Sequence, residues 1–155
     1  MDIILRKATL NDIPSLIRLR IDFLSDGRKL IQEEESEIRA QLEKYFPKHI
    51  AENTFVGIFA EADEQIVATV YLAISERPAN PLFITGKIGT VLNVYTYPKY
   101  RGRGIATKVI RAIIEEAKHL GVSHIELLSV NEVKNLYEKT GFKVSEEFTA
   151  MGLKL

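Results

Sequence analysis

Pro98-Lys99-Tyr100-Arg101-Gly102-Arg103-Gly104-Ile105-Ala106-Thr107-Lys108-Val109 is a basic, glycine-spaced turn that joins a β-type segment to a helix. Before it, Thr90 to Tyr97 is rich in β-branched and aromatic residues, and Pro98 ends the strand because it has no N–H to give a ladder. After it, Ile105, Val109, Ile113, Ala117 and Leu120 recur at helical spacing, so one face of a helix is apolar. Glycines let the backbone turn tightly and approach a ligand closely. The first-turn N–H groups of the helix have no internal partners, and the macrodipole adds roughly half a positive charge at that end. With Arg101 and Arg103 beside it, the turn is built to receive phosphate oxygens.

Spacing narrows the choice of phosphate ligand. A P-loop needs four residues between two glycines followed by Lys-Ser/Thr, which this chain lacks. A dinucleotide fingerprint needs a third glycine where Thr107 stands, and Pro98 to Tyr100 separate strand from glycines more than that fold permits, although Glu126 lies where its ribose acid would be. An ordinary strand-to-helix connection with surface arginines is the plainer alternative.

A second segment decides between them. Ile125 to Val130 reads as a buried strand, followed by Lys134-Asn135-Leu136-Tyr137-Glu138-Lys139-Thr140-Gly141-Phe142, a short helix closed by Gly141. Arg101-x-x-Gly104-x-Ala106 and Leu136-Tyr137-Glu138-Lys139-x-Gly141-Phe142, in this order and with a helix and a strand between them, resemble the two signature motifs of the GNAT superfamily of N-acetyltransferases. The resemblance extends over nearly the whole chain. It implies that the turn, Arg101, Gly102, Arg103, Gly104, Ile105, Ala106 and Thr107, holds the pyrophosphate of acetyl-CoA, with acetyl-CoA as co-substrate. It also implies that backbone N–H groups at Val94, Tyr95 and Thr96, near the end of a splayed strand, bind the pantetheine arm and the acetyl carbonyl. Tyr137 matches the family's tyrosine near the CoA sulfur, proposed there as general acid.

The chain departs from the family pattern in two places. Val130 stands where many members have a pantetheine-binding Asn, so Asn131, the next residue, is the candidate cofactor contact. No carboxylate lies in Thr90 to Tyr97, where some relatives carry a base. Proton removal through water is then expected, ordered by Asn93, Tyr95 or a backbone carbonyl. Glu33, Glu34 and Glu35 read first as first-turn acids that complement a helix dipole and second as an attractor for a cationic amine.

The chain contains no Cys and no Gly-x-Ser-x-Gly elbow, so direct attack of an amine on the thioester is simpler than a covalent acyl-enzyme. Direct transfer needs a deprotonated amine, stabilisation of the oxyanion and a proton for the departing thiolate. A phenol of pKa ~10 can supply that proton to a thiolate of pKa ~8.5. His49, His119 and His124 are too scattered for a metal set, so no metal is expected.

With 155 residues, a chain buries about 68 to 70 per cent of its unfolded surface. Residues 1–155 carry no repeat or linker and read as a single acetyltransferase domain. The 21 basic and 21 acidic residues cancel, leaving no global field for nucleic acid or an anionic membrane. Ile66 to Ile74 is the longest apolar stretch, far short of the ~20 residues of a spanning helix. Asp2 and Arg6 interrupt any cleavable signal, and the absence of cysteine suits a cytoplasmic location.

The expected order is a strand at Ile3 to Lys7, helices carrying Ile13 to Leu24 and Glu33 to Ile50, and strands at Thr54 to Ala60, Gln65 to Ile74 and Thr90 to Tyr97. The post-turn helix, the Ile125 to Val130 strand, the short Tyr137 helix and a last strand at Phe142 to Phe148 follow. This predicts an α/β (α+β) fold with a mixed, mostly antiparallel central sheet flanked by helices. The expected function is transfer of acetyl from acetyl-CoA to a primary amine of a small molecule in a ternary complex, with a homodimer as an allowed assembly. The alternatives are a non-catalytic acyl-CoA sensor and a protein or peptide N-acetyltransferase.

Overall fold

A computed structural model describes residues 1–155, except for the side chain of Asn131. The chain order is β1 (Ile4–Lys7), α1 (Ile13–Gly27), α2 (Gln32–Ala51), β2 (Phe55–Ala62), β3 (Gln65–Glu76), β4 (Lys87–Thr96), α3 (Ile105–His119), β5 (His124–Glu126) and α4 (Lys134–Glu138). The strands form one sheet in the order β1-β2-β3-β4-β5. Every neighbouring pair is antiparallel except β4 with β5, which is parallel and connected through α3. The mixed, mostly antiparallel sheet expected from the sequence is therefore present.

Alternation along the strands divides the core between the two faces of the sheet. On one face Leu16 and Leu19 of α1 and Phe46 of α2 pack on Phe55, Phe59 and Tyr71. On the other, Ile105, Val109, Ile113 and Ala117 of α3 pack on Ile58, Val70, Leu72 and Val91. The α3 residues are the apolar stripe read from the sequence. Thr9 and Asp12 form the expected capping box, and Asp12 also holds Arg6 at 2.9 Å. That ion pair keeps the Asp12 carboxyl below the usual carboxylate range. Among the described residues, no helix is long and apolar enough to cross a membrane.

Tyr71 ties the α1 layer to the sheet, since its buried hydroxyl donates to the Leu16 carbonyl at 2.6 Å. Tyr71→Phe keeps the ring and removes the bond, so urea denaturation should show a loss of about 1 kcal/mol. An unchanged midpoint would show that the bond contributes nothing net.

Two expectations at the C-terminal end are corrected. The strand expected at Ile125 to Val130 spans only His124–Glu126, and the strand expected at Phe142 to Phe148 does not form. β5 pairs with β4 only at Ile88, Gly89 and Thr90, because β4 then runs towards an irregularity in its own ladder and the two strands part. Leu128 and Val130 are left exposed, as are Val144 and Phe148. A three-residue β5 offers a following strand too little edge for a ladder.

Candidate active site

The irregularity in β4 is a β-bulge with a specific chemical cause. Thr69 faces Tyr95 and Tyr71 faces Leu92, so Asn93 and Val94 together oppose the single residue Val70. Asn93 has φ 53°, a left-handed conformation that Asn tolerates better than most side chains. Its amide is turned into the protein, where Nδ2 donates to the Leu19 carbonyl at 3.4 Å and Oδ1 accepts from Arg20 Nη1 at 3.3 Å. With 2% exposure, Asn93 faces α1 and not solvent, so its side chain is not placed to order water as expected from the sequence.

Past Thr90, the edge of β4 away from β3 has no strand partner among the described residues. The result is an opening between β4 and β5 that runs along Val91 to Thr96. Val94, Tyr95 and Thr96 lie along it, with Tyr95 held opposite Thr69 in the β3 ladder and the Thr96 carbonyl taken by a side chain of the glycine turn. Val94 packs its side chain towards the α3 core, and Tyr95 packs its ring edge-on to Phe23 and Tyr97.

At the end of β4 the chain enters the glycine turn. Gly102 and Gly104 have φ 75° and 74°, which L side chains rarely adopt, and a Cβ built on either would meet no protein atom within 4 Å. The space in front of the turn is therefore open. Gly104 caps α3, and the N–H groups of Ile105, Ala106 and Thr107 occupy its first turn, which contains no acidic residue. The Thr107 hydroxyl in that turn is buried without a hydrogen-bond partner among the described residues. An unpartnered hydroxyl in the same turn as the free N–H groups leaves this helix end with polar groups that the chain itself does not satisfy.

The two arginines of the turn are partly occupied. Arg101 Nε donates to the Thr96 carbonyl at 2.8 Å, Nη2 reaches Asp26 at 3.2 Å, and the guanidinium lies over the Tyr95 ring. Arg103 donates to the Lys99 carbonyl at 3.4 Å. Arg101 thus ties the end of β4 to the end of α1, with Nη1 making no hydrogen bond among the described residues.

Tyr137 lies in α4 with its ring edge-on to Phe142, which packs against the α3 core. Its hydroxyl has no hydrogen-bond partner among the described residues, and burial raises its pKa above the ordinary value. It is therefore a proton donor and not a phenolate at neutral pH. The Asn131 contact expected from the sequence lies outside the described residues. Glu34 and Glu35 are engaged by Arg28 and Arg39, which supports their local role in α2.

Sequence reasoning missed two residues here. Glu126 ends the β5 ladder opposite Thr90, whose hydroxyl lies 3.5 Å from its carboxylate, and it is paired with Arg77 at 2.9 Å. That puts a carboxylate at the closed end of the opening. An acid set inside the apolar run Ile125 to Val130 was the available signal. Arg20 interrupts the apolar side of α1 between Leu16 and Phe23, and that interruption was the clue to it. Among the described residues no group of three or more His, Asp or Glu is arranged to hold a metal.

Residues 18–142 match the acetyltransferase (GNAT) family. A predicted acetyltransferase from Clostridium acetobutylicum, crystallised with acetyl-CoA, is 32% identical with a TM-score of 0.85, covering 97% of this chain and 96% of that one. Probable glucosamine 6-phosphate N-acetyltransferase 2 of Oryza sativa subsp. japonica is 29% identical over 104 residues, 57% of this chain and 60% of the rice protein. The matched stretch thus spans less than two thirds of that relative. Glucosamine-6-phosphate N-acetyltransferase of Arabidopsis thaliana shares the fold, with 21% identity, a TM-score of 0.68 and coverage of 99% of this chain and 100% of that one.

Proposed function

Because the chain belongs to the acetyltransferase (GNAT) family, we propose that it transfers the acetyl group of acetyl-CoA directly to a primary amine of a small molecule. The carrying observation is the alignment of three features: the opening between β4 and β5, the bulge on its wall, and the free N-terminus of α3 at its end. A pantetheine arm extended along Val94 to Thr96 brings the pyrophosphate to Gly102, Gly104 and the N–H groups of Ile105 to Thr107. The acetyl-CoA held by the Clostridium relative supports the same ligand here.

In this reading the amine nitrogen attacks the thioester carbonyl and forms a C–N bond. The tetrahedral oxygen takes the negative charge and accepts from backbone N–H at the bulge, with Val94 the first donor. Collapse breaks the C–S bond, and Tyr137 gives its phenolic proton to the sulfur. The amine proton leaves through water towards Glu126, the carboxylate at the closed end. Asn93 holds the bulge in shape and contacts no reactant.

A thiol-release assay with acetyl-CoA tests the function over amino sugars, amino sugar phosphates, amino acids, polyamines and peptides. Release with a small amine supports the proposal. CoA binding without turnover across the panel would replace it with a binding module, and turnover of peptides alone with a protein acetyltransferase. The mechanism has its own signature. With both substrates varied, initial-rate plots should intersect, and incubation with acetyl-CoA alone should leave the protein mass unchanged. Parallel lines with a stable acetylated residue would overturn direct transfer.

A further inference from the structure

Arg20 is a half-buried cation without an acid. Its guanidinium makes one hydrogen bond within the chain, from Nη1 to Asn93, and lies 5.7 Å from the Phe23 ring centroid. No carboxylate pairs with it among the described residues. Burial lowers its pKa from the ordinary arginine value. A guanidinium remains charged in proteins and carries five N–H donors, so most of its hydrogen-bonding capacity is unspent. A cation withdrawn from water without a counter-ion is costly unless an anion arrives to meet it.

Its position says where that anion would come from. Leu92 and Tyr71 are register partners, so they share the α1 and α2 face of the sheet. Tyr71 is covered at 2% exposure, whereas Leu92 is 37% exposed. The helical layer therefore ends between them. Arg20 bonds Asn93, which follows Leu92 and precedes Val94, so it lies by that margin. A molecule resting on Leu92 would have both the bulge and the guanidinium within reach, since Arg20 is bonded to Asn93 in the bulge.

We propose that Arg20 is the anion receptor of the acceptor site, and that the amine acceptor carries an oxyanion, a carboxylate or a phosphate, which this guanidinium binds. The inference rests on the transferase reading and deepens it by naming the substrate class. Arg20 is a specificity residue: it holds the acceptor's anionic group and takes no part in bond making. Its planar fork suits two oxygens at once, which a lysine would not match.

Matched acceptors test this. Glucosamine 6-phosphate against glucosamine probes a phosphate, and alanine against alaninamide probes a carboxylate; the pair that responds identifies the source. The wild type should favour the anionic member of at least one pair by about 10- to 100-fold in kcat/KM, the range of a charge-assisted contact. In Arg20→Gln that ratio should fall towards one, through KM more than kcat, and in Arg20→Lys it should fall part of the way. A purely structural role would slow both members of a pair alike and leave the ratio intact. Thermal melts of both variants establish that they fold.

A binding measurement separates this inference from the function it rests on. Calorimetric titration of the CoA-saturated protein with the same four compounds should show the anionic member binding more tightly, and Arg20→Gln should erase the difference. If nothing is turned over yet that difference is present and Arg20-dependent, the transferase reading fails and the anion site stands. Equal binding and equal turnover of both members of both pairs would overturn the proposal, as would an unchanged ratio in a folded Arg20→Gln.

Discussion

Gly104→Val is expected to lower acetyl-CoA affinity by on the order of 100-fold or more while leaving the fold in place. Two costs combine. The residue sits at φ 74°, where a β-branched side chain is a genuine outlier and the backbone penalty is roughly 1 to 2 kcal/mol. The second cost concerns the ligand alone. A Cβ at this position meets no protein atom within 4 Å, so the valine would project into the open space before α3 and not into the core. That is the space through which a pyrophosphate must approach the N–H groups of Ile105 to Thr107. Calorimetry with acetyl-CoA, alongside a thermal melt, separates the two. A folded Gly104→Val variant that binds as the wild type does would remove the phosphate from this turn.

Tyr137→Phe is expected to reduce kcat by about 10- to 1000-fold with little change in stability or acetyl-CoA affinity. The hydroxyl has no partner in the chain among the described residues, so its removal breaks no bond that holds the fold. The pH dependence carries the sharper signature. Burial raises the pKa of Tyr137 above 10.0, so the acid form persists through neutral and mildly alkaline pH. The wild-type kcat should fall only as pH rises through that raised value, and the Phe variant should lack this limb. An unchanged kcat, measured where chemistry limits the rate, would make Tyr137 a packing residue and let the thiolate depart unaided.

How much of this was legible in the sequence differs element by element. The α3 stripe of Ile105, Val109, Ile113 and Ala117 and the capping box at Thr9 are local patterns, and they are where periodicity put them. The glycine turn was readable because positive φ favours glycine as a local property of the backbone, at Gly102 and Gly104 alike. By contrast, Phe142 to Phe148 has a passable strand composition and no strand, because pairing needs a partner edge that β5 does not supply. Asn93 was visible as a polar residue in a strand, but its direction depends on α1, far away in the chain. Arg20 was hidden for the same reason: a charge on a helix reads as solvated until the neighbours that bury it are known.

Strand order in the sheet follows chain order, and this has a consequence for assembly. β2, β3 and β4 form a meander whose connections, residues 63–64 and 77–86, contain no further strand or helix, so each closes at modest entropic cost. β5 can join only after the whole of α3 has folded back across the sheet, and then gains three residue pairs. On entropic grounds it is the last strand to dock. The opening beside β4 is bounded by that strand, so on the same grounds the core should form before the opening takes shape. Shaping that opening is then expected to be a late step of folding, separate from collapse of the core.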